Sequence, residues 1–193
     1  HMHSSFSPDS QAEPVTMIRQ ALRDHFSHIC FTDHMEYNHA EEQFELDVPA
    51  YIAALRRLKE RYAKKIELHI GVEPWLADSF HKLLQQYPFD FVIGSVHVAD
   101  GLDPCYPEFF QGRTEKEAYE AYFQAVYDNI QAFCEFDILG HLDYVVRYGP
   151  NRNRFYTYEK HKEIIDEILR CLIEKGIGLE LNTSGFRYGL GHP

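Results

Sequence analysis

The sequence predicts an α/β fold whose strands run parallel and whose strand ends gather into a barrel-type site. Three observations predict it. Short apolar runs alternate with segments that carry apolar residues at helical spacing. Metal-ligand residue types stand just past four of those runs: His34 after Ile-Cys-Phe-Thr-Asp, Glu73 after Leu-His-Ile-Gly-Val, His97 after Phe-Val-Ile-Gly-Ser-Val, and His141 after Phe-Asp-Ile-Leu-Gly. The chain of 193 residues is also long enough to bury a substantial core within one domain.

Taken in order, the chain opens on a polar run, His-Met-His-Ser-Ser-Phe-Ser-Pro-Asp. In an extended segment His1 and His3 share a side and can grip one ion, with Asp9 placed to fold back over it or to reach a second one. Pro14 to about His25 reads as a helix with proline in its first turn, followed by a strand over Ile29–Thr32. Tyr51, Ile52, Leu55, Leu58 and Tyr62 make one face of a helix over Val48–Ala63, and Ile66–Val72 reads as a strand. Leu76–Gln86 follows as helix and Phe89–Val96 as strand. Thr114, with Glu117 three residues on, opens a long helix to about Cys134. A short strand over Asp137–Leu139, a helix over Tyr158–Lys175 stopped by Gly176, and a strand over Ile177–Leu181 complete the pattern. The long loops Val98–Arg113 and Val145–Tyr156 each follow a candidate ligand, and long loops in a compact domain tend to carry function.

Composition narrows the function. Hydrophobic residues make up 45% and charged residues 25%, as in an ordinary globular domain. A net charge of −11 without any Lys/Arg run argues against nucleic acid as a partner. No apolar stretch approaches twenty residues, so no membrane span is expected. Cys30, Cys105, Cys134 and Cys171 are widely spaced, with no Cys-x-x-Cys pair, which suits free thiols in a reducing cytoplasm.

A lone histidine or glutamate at a strand end is usually solvated or hydrogen-bonded, and any one of these residues alone would carry little weight. Seven together, four in the same position after a strand, point to a metal centre. The remaining histidines earn no such role. His25, His28, His81 and His161 are expected at the surface, in or beside helices, and His69 is expected to be packed or hydrogen-bonded within its strand. His39 is a candidate to support His34. Phe109, Phe110, Tyr119, Tyr122 and Phe123 read as packing.

The motifs His-x-His-x5-Asp, Phe-Thr-Asp-His, Gly-Val-Glu, Gly-Ser-Val-His, Gly-His-Leu-Asp and Leu-Glu-Leu-Asn-Thr-Ser-Gly-Phe-Arg-Tyr-Gly, in that order, resemble the polymerase-and-histidinol-phosphatase (PHP) family, and within it the monofunctional histidinol-phosphate phosphatases. The resemblance implies a distorted (βα)7 TIM-like barrel with two to three divalent ions at the C-terminal strand ends. His1 and His3 would bind the first ion, Glu73 would bridge the first and second, His97 and His141 would complete the second, and Asp9 and His34 would hold the third. The family supplies further ligands from an Asp-x-His motif after its last strand. This sequence ends at Gly-His-Pro before such a motif and begins without the first strand's residues ahead of His1, so it reads as part of a longer enzyme truncated at both ends. His192 is expected in a family-like turn, with a substitute ligand as the alternative.

The implied reaction is hydrolysis of a small anionic phosphate ester, with L-histidinol phosphate of histidine biosynthesis as the favoured substrate. Imidazole and carboxylate ligands suit zinc, manganese or iron. Glu73 and His97 are the residues expected to be catalytic, since metals held there would make a water acidic near neutral pH. Arginine should complete a phosphate clamp, because its planar fork matches two phosphate oxygens. Arg187, just past a strand, is the first choice, with Arg154 and Arg147 next. Asp33 or Glu36 could orient a ligand or meet the substrate's cationic end. Two alternatives stay open: a PHP phosphoesterase for another ester, and a non-catalytic metal-binding module.

Overall fold

The computed structural model describes residues 1–35, 45–76 and 79–191, without the side chains of residues 79 and 81–83. Glu36, His39 and His192, and the side chain of His81, lie outside the described residues. The chain forms two compact units, one of His1–Trp75 with Ser79–Gly94 and one of Leu76–Asp78 with Ser95–Pro193.

The first unit is a parallel sheet with helices. Helix α1 (Pro14–Arg23) buries Pro14, Ile18 and Ala21, a stripe at spacings of four and three. Strand β1 (His28–Phe31) follows, then the two-residue β2 (His34–Met35). Asp47 caps α2 (Val48–Tyr62) by accepting from the Ala50 N–H at 3.0 Å. Strand β3 (Glu67–Pro74) is central, parallel to β1, β2 and β4 (Phe91–Gly94), and α3 spans Ser79–Gln86. Leu68, Ile70 and Val72 are buried on one side of β3, each contributing roughly 1.5–3 kcal/mol. The alternating residues Glu67, His69, Gly71 and Glu73 share the other side. A side chain at Gly71 could not fit: its Cβ would lie 2.7 Å from the Phe91 carbonyl and 3.0 Å from that of Phe31. Glycine therefore lets three strands close up immediately below Glu73.

The second unit is organised by α4 (Glu115–Ala132). Thr114 and Glu117 form the expected capping box, each side chain bonding the other residue's backbone N–H. Tyr119, Tyr122, Phe123, Val126 and Ile130 are buried, and α4 packs on α5 (Lys162–Lys175), which buries Ile165, Ile168 and Leu172. Gly176 ends α5 with φ at 69°, a conformation that glycine adopts without steric cost. The chain then forms β6 (Gly178–Leu179), parallel to β5 (Ile138–Leu139), and a final short helix α6 (Ser184–Arg187).

Most elements lie where the pattern puts them, with ends shifted by a few residues. Three expectations need correction. Tyr158–Lys160 forms a separate 3-10 turn ahead of α5, because the chain kinks at His161. His161 is buried, not at the surface, enclosed by the rings of Tyr119, Phe123 and Tyr156. His28 is exposed as expected, yet it opens a strand and does not border a helix. Among the described residues no helix is long and apolar enough to cross a membrane.

Candidate metal centre

In the first unit, backbone pairing brings the candidate ligands together. His34 on β2 is the direct ladder partner of Glu73 on β3. The opening segment lies beside the end of β1, tied by the Thr32 N–H to the Met2 carbonyl at 3.0 Å and by the Met2 N–H to the Thr32 hydroxyl at 2.7 Å. Asp33 fixes the rest of that segment. It is fully buried and accepts from the Ser4 N–H at 2.6 Å, the Ser4 hydroxyl at 2.9 Å and the Ser7 hydroxyl at 2.9 Å. Ser7 in turn accepts from the His34 N–H at 2.8 Å. The carboxylate of Asp33 is thus spent on holding the ligand-bearing backbone, which is the first of the two roles considered for it.

Glu73 is the hub. One oxygen, Oε1, lies 3.0 Å from His1 Nε2, and Oε2 lies 3.1 Å from His3 Nε2 and 3.0 Å from His34 Nδ1. Asp9 Oδ2 lies 2.8 Å from His3 Nδ1 and 3.8 Å from His34 Nε2. Five of the seven expected ligands, His1, His3, Asp9, His34 and Glu73, therefore converge within this unit. Glu73 is fully buried, and burying a charge without compensating partners would be costly. Burial opposes protonation of His3, but its hydrogen bonds to Asp9 and Glu73 and their charges outweigh it, raising its pKa to about 9. Burial likewise opposes ionisation of Asp9, and the hydrogen bond and charge of His3 more than reverse this, holding Asp9 below its ordinary value. A divalent ion would take the place of the His3 proton.

The second unit brings together the other two. His97 Nε2 and His141 Nε2 face each other at 3.2 Å, both rings buried. Two nitrogens bound to one ion at about 2.0–2.1 Å in tetrahedral geometry stand roughly 3.3 Å apart, so the pair is spaced like ligands sharing a metal. Tyr144 packs against both rings, at centroid distances of 5.3 Å and 5.0 Å. Its hydroxyl donates to Asp103 at 3.0 Å, and burial together with the Asp103 charge pushes its pKa up, so it remains a donor. Glu180 accepts from the His141 N–H at 2.9 Å and from the Asn182 side chain at 3.0 Å, fixing the backbone that carries His141. Glu180 sits inside the Leu-Glu-Leu-Asn motif, but its own role could not be read from that motif. Tyr144 gave no sequence signal beyond lying near His141.

The three candidate arginines differ in burial. Arg147 is buried, with its guanidinium 5.5 Å from the ring centre of Tyr144 and 5.7 Å from that of Tyr188. It is thus one aromatic ring away from His97 and His141, and it shares Tyr188 with the chain segment that carries Arg187. Arg187 is exposed on α6. Arg154 is exposed and lies over Phe155 at 5.2 Å.

Comparison with known proteins places these residues in context. The model of the PHP domain matches residues 1–184. A histidinol-phosphatase of Lactococcus lactis subsp. lactis (strain IL1403) is 36% identical over 196 residues, covering 96% of this chain and 71% of that protein. The crystal structure of histidinol phosphate phosphatase from Lactococcus lactis, complexed with zinc, L-histidinol and phosphate, superposes with a TM-score of 0.90 at 35% identity. That match covers 97% of this chain and 73% of the other. The crystal structure of a putative histidinol phosphatase from Listeria monocytogenes shares the fold, with a TM-score of 0.84 at 20% identity over 98% of this chain and 84% of that one.

Proposed function

This chain belongs to the PHP domain family, and from that premise we infer that it is a metal-dependent phosphatase that hydrolyses L-histidinol phosphate to L-histidinol and phosphate, a step of histidine biosynthesis. The observation that carries the reading is the set of three imidazoles gathered on one buried carboxylate, Glu73, in a chain 35% identical to a phosphatase seen with zinc, L-histidinol and phosphate. Those two organic and inorganic species are what hydrolysis of the ester yields. Both units belong to one catalytic domain in this reading, since a single family model runs across residues 1–184. The four cysteines are free thiols, which suits a reducing cytoplasm.

The donor set fits two to three divalent ions of the zinc, manganese or iron type, because imidazole and carboxylate together suit these metals. His1, His3, Asp9, His34 and Glu73 would hold metal from the first unit, and His97 and His141 from the second. When bound, such ions supply Lewis acidity that makes a water acidic near neutral pH and offsets phosphate charge. The chain's own residues do the rest. Glu73 and His97 are the catalytic ligands, while Asp33 holds the backbone that carries His1, His3 and His34, and Glu180 holds that of His141. Arg147 and Arg187 clamp the phosphate oxygens with their guanidinium forks, Arg147 oriented by the faces of Tyr144 and Tyr188. Arg154, exposed and turned onto Phe155, ranks behind them.

Phosphate release from a panel of esters tests this reading: histidinol phosphate, a nucleoside monophosphate, a sugar phosphate and a phosphotyrosyl peptide. Histidinol phosphate should give the highest kcat/KM. A higher value for any other ester would move the chain to a different PHP activity, and no turnover of any would leave a binding module.

A further inference from the structure

A second ligand cluster lies at the start of β1 and of β3, at the opposite end of β3 from Glu73. His28 is the first residue of β1 and Glu67 the first of β3, and the two are direct partners across the parallel ladder. His69, two residues along β3, returns to the same side of the sheet as Glu67. The Glu67 carboxylate sits between the two rings, with Oε2 at 3.4 Å from His28 Nδ1 and Oε1 at 3.4 Å from His69 Nε2. The rings stack at 5.9 Å with planes 21° apart. One donor atom from each of the three residues lies within 4.8 Å of the others.

We propose that His28, Glu67 and His69 form a further metal site, selective for transition ions such as zinc, that clips the start of β1 to the start of β3. Two imidazole nitrogens and a carboxylate oxygen suit zinc, copper or nickel and are a poor match for magnesium or calcium, which take oxygen ligands. The side chains are half-exposed or exposed, so a pairwise ion pair here would be worth little and would not by itself require two histidines on one glutamate. The three come from two strands already locked in register by backbone hydrogen bonds, so little ordering is needed to chelate an ion. Asp90 lies nearby but is already engaged, its carboxylate accepting from the N–H of Ile70, the residue after His69, and pairing with Lys59 at 3.2 Å. Glu73 lies six residues beyond Glu67 on β3, about 20 Å along an extended strand, so the cluster shares no ligand with the Glu73 centre. The ion would act as a staple between strands, not as a participant in hydrolysis.

Zinc titration of the full chain in competition with a chromophoric chelator tests this, with His28→Gln/His69→Gln compared against wild type. The double variant should bind one equivalent fewer, excess calcium should not displace that equivalent from wild type, and histidinol phosphate turnover should stay within about twofold. Cobalt loading gives a second readout, with wild type showing an additional ligand-field absorption that the variant lacks. Equal zinc stoichiometry in the two proteins would overturn the proposal. So would displacement by calcium, or a variant whose turnover falls along with the lost equivalent, since the residues would then serve the catalytic centre.

Discussion

His34 and Glu73 are opposite partners in the β2–β3 ladder, and their side chains meet at 3.0 Å on the same side of the sheet. Backbone register thus sets ligand spacing. Because side chains alternate along a strand, a slip of one residue would turn Glu73 away from His34 and from the opening histidines alike.

Asp33 should matter as much as a ligand without being one. Its carboxylate holds Ser4 and Ser7, and through them the segment with His1 and His3. Asp33→Asn should weaken metal affinity by about 10- to 100-fold, the range seen when groups that orient ligands are lost. A metal-buffer titration measures it, and unchanged affinity would show that the segment is held by other contacts.

Much of this site could be read from the sequence, and the reason is local. Seven ligand-type residues follow strands or open the chain, so spacing marked them; the structure gathers five in the first unit, Glu73 among them, and pairs the other two. The supporting residues were harder to see, because hydrogen bonds such as Glu180 to the His141 N–H join positions 39 apart in the chain. Arg147 ranked low because its partners, Tyr144 and Tyr188, come from separate segments that only folding brings near. His161 was misplaced for a similar reason: a histidine beside a helix looks solvent-facing until aromatic residues from α4 and the 145–156 loop close over it.

The two arginines should separate substrate binding from metal binding. Arg147→Ala and Arg187→Ala should each lower kcat/KM by about 10²-fold, as expected when a charged clamp of roughly 3 kcal/mol is lost, with metal content unchanged. Near-normal kcat/KM in either variant would remove that residue from the clamp and bring Arg154 forward.

His161 should make the fold sensitive to mild acid. Burial lowers its pKa, Glu120 opposing this and Lys116 and Lys160 adding to it. Between the lowered folded value and the unfolded value near 6.5, the unfolded chain binds more protons, so stability falls as pH drops through that window. Above about pH 7 the effect vanishes. His161→Phe keeps a ring among Tyr119, Phe123 and Tyr156 but cannot titrate. Denaturant midpoints at pH 7.5 and 5.5 should fall further in wild type than in the variant, and equal falls would mean that His161 titrates normally in the fold.

The central claim is that Glu73 is the carboxylate on which the metal centre is built. Elemental analysis of purified wild type and Glu73→Ala, each dialysed against metal-free buffer, tests it most directly. Wild type should retain more than one divalent ion per chain, and the variant should lose more than one, because a carboxylate shared among three imidazoles serves more than one ion. A metal-free wild type, or a variant with unchanged metal content, would contradict the account.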